Sequence, residues 1–371
     1  MKRRDFIIAA GSAITSLSAD RLSVNAPFAP LKNGLHELAR AKGLFFGSAV
    51  NDGEILSPPS AAAILTNCGL VTAQRAQKWP IMWRDQDQET PAEADRLAAF
   101  AARNNLLLRG HALIYDAFMP EWVNKLPPQQ MRVAFDRRIQ FAMTRWRGQV
   151  HSWDVVNEAL EPNERRSDSL RNTIFLKALG EGYIADAFFR AKDCDASALL
   201  CYNDYNLESA ASFSYRRRKA TLRLLEALKK RGAPIEALGV QAHLKAQLTY
   251  NDRVWRDFLK EVAQLGLKII VSELDVNDRS LPADIAARDI GVADLTSRFL
   301  DVTLDEKQVI GVVSWGLTDK QSWMATRHRQ KDPAFTREDG GFPRPLPLDS
   351  NFHRKPMWHA IASALNSAPN R

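Results

Sequence analysis

Two acids close an apolar run in "KIIVSELDV", residues 268–276: Glu273 and Asp275, two positions apart and so on one face of a strand. Ile269, Ile270, Val271 and Val276 give that run the β-branched character of a strand covered on both faces. Carboxylates placed there are costly to dehydrate unless they are paired or given a task. Another acid, Glu158, ends a second run, "QVHSWDVVNE" at 149–158, directly after Asn157. Two carboxyls facing one another over a cleft are the equipment for glycoside hydrolysis. One is protonated and assists the departing oxygen, while the other is ionised and attacks the anomeric carbon. Glu158 is the candidate proton donor and Glu273 the candidate nucleophile. His243 is the candidate link: Asp275 can hold it, and it can hydrogen-bond Glu273, keeping that carboxylate ionised and oriented. Asn157 is placed for a sugar 2-hydroxyl, a contact that strengthens in the transition state.

These residues need elements that bring them to one end of one framework. Apolar β-type runs at 43–50, 68–73, 105–111, 149–158, 198–205, 236–243, 267–273 and 309–316 alternate with amphipathic helical segments. Eight strand–helix units over roughly 330 residues fit a single α/β domain, a (β/α)8 TIM barrel. A doubly wound open sheet is the alternative, but no Gly-rich phosphate loop follows the first run. In such a barrel the C-terminal strand ends carry the chemistry. The remaining ends supply His111, then Asn203 and Tyr205, then Gln241 beside His243 on one strand face, and Trp315. Arg109 and Gly110 read as barrel structure, and the stretch from Arg327 to Pro347 as a loop after the eighth strand.

The 371 residues are 45% apolar and 25% charged, the composition of a globular chain with a large core. "MKRRDFIIAAGSAITSLSAD" has a basic start and a short apolar stretch, and Arg3-Arg4 before Asp5-Phe6 is of twin-arginine type. We expect a signal peptide within residues 1–26, cleaved between Ser18 and Ala26, and one catalytic barrel over 27–371. The product would be exported to the periplasm or beyond by a bacterium, with no membrane anchor. Cys68, Cys194 and Cys201 are too scattered for a disulfide framework or a zinc site and read as buried thiols, a Cys194–Cys201 bridge being the alternative. Much of the +8 net charge sits in "YRRRKATLRLLEALKKRG" (215–232), read as the solvated face of an amphipathic helix. Basic residues are not interleaved with stacking aromatics, so no nucleic-acid partner is expected. No apolar surface stripe calls for a protein partner, and a monomer is expected.

Taken in order, "FFGSAV", "WDVVNEAL", "NDYNLE", "GVQAHL", "VSELDV", "SWGLTDKQSW" and "KPMWHAI" resemble the signatures of glycoside hydrolase family 10, the endo-β-1,4-xylanases, across almost the whole mature chain. The resemblance implies a retaining mechanism with Glu158 as acid/base and Glu273 as nucleophile, without cofactor or catalytic metal. It implies that Lys78, His111, Asn157, Gln241, His243 and Trp315 line the subsite of the sugar being cleaved, with Trp323 flanking the next glycone subsite. Several positions depart from the family pattern. In "TAQRAQKW" (72–79) Gln74 and Arg75 stand for a sugar-binding Glu and an Asn. In "RGHALIYDAFMPEW" (109–122) Tyr115, Asp116 and Phe118 stand for Trp, His and Gln. The expected substrate is therefore xylan or a xylo-oligosaccharide, with an acid-decorated or different plant β-glycan as alternative. Arg75 and the basic run "RHRQK" (327–331) motivate the acidic version; the plainer reading pairs Arg75 with a nearby acid. A barrel that binds carbohydrate without cleaving it is the third possibility.

Overall fold

The computed structural model describes residues 34–164 and 166–371. The expected leader lies outside these residues. The strands are β1 (Phe45–Val50), β2 (Leu70–Ala73), β3 (Leu107–Gly110), β4 (Val150–Asn157), β5 (Leu199–Asp204), β6 (Ala237–Val240), β7 (His243–Lys245), β8 (Lys268–Asn277) and β9 (Val309–Ser314). All pairings among them are parallel, and the order β1–β2–β3–β4–β5–β6–β8–β9 closes when β9 pairs with β1. This is the (β/α)8 barrel. Its strands are apolar runs because both of their faces are covered: every residue of β1, β2 and β6 is buried.

Helices form the covering layer, and local chemistry starts them. Asn251 caps the helix Asp252–Gln264, its side chain accepting from the Val254 amide at 3.1 Å. That helix buries Trp255, Phe258, Leu259 and Val262, spaced as one helical face requires. Asp284 caps Ile285–Leu304 in the same way, through the Ala287 amide at 2.8 Å. Inside the barrel a small apolar plug (Phe45, Leu70, Cys201, Ala237, Ile270, Val313) fills the interior. Arg109 lies fully buried above it, bonded to Ser152 Oγ at 3.1 Å and to Asp154. Asp154 in turn holds His111 Nδ1 at 2.9 Å. The reading of Arg109 as barrel structure therefore stands, and its partner carries a residue of the cleft. Gly110 is there for space: a Cβ would fall 2.1 Å from the Trp153 ring.

Four expectations need correcting. The sixth run is not one strand to residue 243. β6 ends at Val240, Ala242 takes φ +57°, and His243 opens β7, which pairs with the far end of β8 (His243 opposite Asp275). β8 does not stop at Glu273 but continues to Asn277 with both acids inside the strand. The segment "RHRQK" is partly helical, since a helix spans Trp323–Arg329. The basic helix Ser212–Lys230 does not hold all its arginines in water: Arg217 and Arg218 are buried, donating to the carbonyls of Leu160, Leu207 and Ser209 at 2.6–2.7 Å. The three cysteines are free, buried thiols, and Cys194 and Cys201 are not bridged.

Candidate active site

A cavity of about 760 Å³ opens at the C-terminal end of the strands. Thirteen of the fifteen residues singled out from the sequence line it: Gln74, Arg75, Lys78, His111, Tyr115, Asn157, Glu158, Tyr205, Gln241, His243, Glu273, Trp315 and Trp323. Asp275 lies beneath it, fully buried. Asn203 was expected to meet substrate, and here the structure differs. It is fully buried, with its amide donating to Asn157 Oδ1 and to Glu273 Oε1, each at 2.8 Å. Glycine at 239 leaves room for it, since a Cβ there would lie 2.1 Å from Asn203 Oδ1.

The two glutamates are held differently. Glu158 sits one residue past β4 with φ +57°, a left-handed conformation that non-glycine residues adopt rarely and that clusters at functional sites. Its Oε1 accepts from Gln241 Nε2 at 2.9 Å, from Tyr115 Oη at 3.1 Å and from Asn157 Nδ2 at 3.3 Å. Glu273 is buried within β8, and its Oε2 faces His243 Nε2 at 3.2 Å. His243 Nδ1 lies 2.7 Å from Asp275 Oδ1, and Asp275 Oδ2 accepts from Trp323 Nε1 at 2.7 Å. Each imidazole nitrogen thus faces a carboxylate, which favours the doubly protonated ring.

The electrostatics follow from that arrangement. Burial alone would push Glu273 up, but the His243 hydrogen bond and the fields of His111, His243 and Lys78 bring it down to about 2. Burial disfavours charge on His243 as well, yet Asp275 and Glu273 outweigh it and raise the imidazole to about 10. Lys78 is pulled below its ordinary value by burial, against the opposing pull of Glu273 and Glu158. Its Nζ lies 4.5 Å over the Phe118 ring. The loops carrying Lys78 and His111 are pinned together by buried Arg138, which donates to the carbonyls of Gln77, Ala112 and Leu113 at 2.5–3.1 Å.

One peptide ties the two halves together. Gln241 touches Glu158 and His243 touches Glu273, and the Ala242 amide between them donates to buried Glu208 Oε1 at 2.9 Å. Sequence reading missed Glu208, although it closes the quoted run "NDYNLE". It also missed several residues on the cavity wall, among them Asn51, Lys245, Asn277 and Phe335. Lys245 stands two places from His243, so the strand end did signal it. Arg75 is half-exposed and lies 3.7 Å from Glu93, which favours the plainer reading of that residue. Arg327 pairs with Asp332 at 2.5 Å.

The family model described as Glycosyl hydrolase family 10 matches residues 34–364. Endo-1,4-beta-xylanase 1 of Humicola insolens is 31% identical over 346 residues, covering 91% of this chain and 75% of that protein. Endo-1,4-beta-xylanase 3 of Hypocrea jecorina is 28% identical over 334 residues, 89% and 85% of the two chains. Among solved structures, native xylanase 10B from Thermotoga maritima aligns with a TM-score of 0.79 at 26% identity, covering 90% of this chain and 98% of that one. Xylanase 10B from Thermotoga petrophila RKU-1 in complex with xylobiose gives the same TM-score and identity over 91% and 98%.

Proposed function

From the premise that the chain belongs to glycosyl hydrolase family 10, we propose that it hydrolyses β-1,4-xylosidic bonds in xylan or xylo-oligosaccharides with retention of anomeric configuration. The observation that carries this is the contrast between two glutamates on one cavity: Glu273 is held ionised by His243, while Glu158 is met by a tyrosine hydroxyl and two side-chain amides.

A Glu273 carboxylate oxygen attacks the anomeric carbon as the glycosidic C–O bond breaks, and the leaving oxygen takes its proton from Glu158. The product of that step is a glycosyl ester on Glu273. A water molecule then attacks the same carbon, giving its proton to Glu158 and freeing the Glu273 carboxylate. His243, held by Asp275, keeps the nucleophile charged in its low-exposure setting. Asn157, His111, Lys78, Gln241 and Trp315 surround the sugar undergoing reaction, and Trp323 stands beside the next one. Tyr205 lies at the opposite end, beyond the scissile bond. In the same reading the chain is a monomeric catalytic barrel that follows a twin-arginine-type leader and is exported; sequencing the N-terminus of the mature protein tests the leader.

The test of the activity compares the protein with its Glu273→Ala variant on xylan and linear xylo-oligosaccharides. Products are sized, and the first-formed anomer is read by proton NMR. Release of β-anomeric xylo-oligosaccharides by the parent alone is expected. An α-anomer formed first overturns retention, and no release overturns the xylan assignment.

A further inference from the structure

A second cavity, of about 420 Å³, continues the cleft beyond Tyr205. Tyr205, Asn206 and Lys245 belong to the walls of both, so the two spaces meet at these residues. The second is the end away from Lys78 and Trp323 and therefore, on the reading above, the side of the leaving group.

Its charges are unbalanced. Arg217 and Glu161 line it, but they neutralise one another at 3.1 Å, and Arg217 is also paired with buried Asp204 at 3.1 Å. Two cations remain. Lys245 Nζ donates to the neutral Asn206 Oδ1 at 2.8 Å, and Arg216 Nη2 donates to the neutral Asn163 Oδ1 at 3.0 Å. Among the described residues neither has a carboxylate within ion-pair distance, in contrast to Arg75 and Arg327. The helix Ser212–Lys230 begins at this wall with no side chain capping it, so the positive end of its dipole adds to the same field. Lys245 feels buried Glu208 at longer range and lies 5.9 Å over the Phe213 ring, but its ammonium stays on the cavity wall with no ion-pair partner among the described residues.

We infer that Lys245 and Arg216 bind a carboxylate carried by the substrate on its leaving-group side, the chemistry of a uronic-acid branch on the glycan backbone. Arg216 offers the forked donor that a carboxylate accepts, and Lys245 a point charge nearer the scissile bond. The acidic-substrate idea raised by the sequence thus moves from Arg75 and Arg327, which are ion-paired, to the opposite end of the cleft. This inference rests on the xylan reading.

The experiment measures kcat/KM on three oligosaccharides: unbranched, branched with glucuronate, and branched with the same sugar after reduction of its carboxyl. The parent protein is compared with Lys245→Met and Arg216→Gln. For partly exposed charge pairs the preference for the acidic branch over its reduced form should be about 3–10-fold. It should shrink in high salt and fall toward unity in each variant. Products should carry the branch on the fragment released as leaving group. Equal rates on acidic and reduced branches, or a preference that both substitutions leave intact, overturn the inference while the xylanase reading stands. No cleavage of any of the three overturns both.

Discussion

Replacing His243 by Asn tests the electrostatic core of the site. The distance between 4.5, the ordinary value of a glutamate, and about 2 for Glu273 corresponds to about 3 kcal/mol in favour of the ionised form. His243 supplies the largest of the lowering influences, its hydrogen bond, and a positive field besides. Asparagine can restore a hydrogen bond but carries no charge, while Lys78, His111 and the Asn203 bond remain. Glu273 should then titrate at least one pH unit higher, about 1.4 kcal/mol of lost preference. The assay is kcat/KM against pH on a soluble xylo-oligosaccharide, with circular dichroism at each pH to show that the variant stays folded. The acid limb should move toward neutrality. A limb that stays in place while the rate falls at every pH would refute the electrostatic role and leave His243 a spacer. Stability carries the same signature. The Glu273 value lies below its unfolded value, so its contribution is whole above pH 4.5 and is lost as pH falls through about 2. The His243 value lies above, so its contribution is whole below pH 6.5 and is lost as pH rises through about 10. The pair therefore contributes fully between 4.5 and 6.5, and the variant should lose that plateau in a plot of Tm against pH.

Glu158→Gln should lower the rate on natural xylan by about 10²–10⁴-fold, because the departing oxygen loses its proton donor. An aryl xyloside with an acidic leaving group should keep a fast first step, seen as a burst of phenol. Gly239→Ala places a Cβ 2.1 Å from Asn203 Oδ1 and so pushes on the amide that holds Glu273; lower kcat and a lower Tm are both expected, and an unchanged protein would show that Asn203 has room to move. Lys355→Met removes a buried ammonium bonded to Asp319 at 3.0 Å and to the Arg344 and Leu346 carbonyls at 2.8 and 3.0 Å. Among the described residues Asp319 would keep only the Leu346 amide and the Arg344 guanidinium at 3.9 Å, so the loss of its buried ammonium should cost up to about 3–5 kcal/mol, measured by denaturant titration.

Eight strands were legible because parallel strands covered on both faces must be written as apolar runs, and the acids at their ends broke that pattern where no packing reason existed. The same logic misplaced the end of β8. Charge was read as the close of a strand, whereas Glu273 and Asp275 are tolerated inside it by the imidazolium they share. The break at Ala242 carries no sequence mark: alanine does not announce a left-handed backbone as glycine does, and the partner that holds it, Glu208, is 34 residues away. Asn203 misled for a related reason. A polar residue at a strand end can serve the carboxylate beneath the cleft instead of the substrate above it, and only packing distinguishes the two. Arg217 and Arg218 were assigned to water by their charge, but the Asp204 carboxylate at the end of β5 and carbonyls in the loops after β4 and β5 accept from them.

The triplet Gln241-Ala242-His243 limits how this enzyme can be retuned. Its outer members reach opposite carboxylates, so a displacement of the central peptide disturbs proton donor and nucleophile together. Substitutions around this hinge should therefore combine non-additively, and the two limbs of the activity profile should slide along the pH axis in company. An engineer who wants a broader optimum would do better with Tyr115, which meets Glu158 from a separate loop, or with Lys78, whose field falls on Glu273 from another. Both handles lie off the hinge, although they touch one another, with Lys78 Nζ 5.7 Å over the Tyr115 ring; the hinge is a single lever.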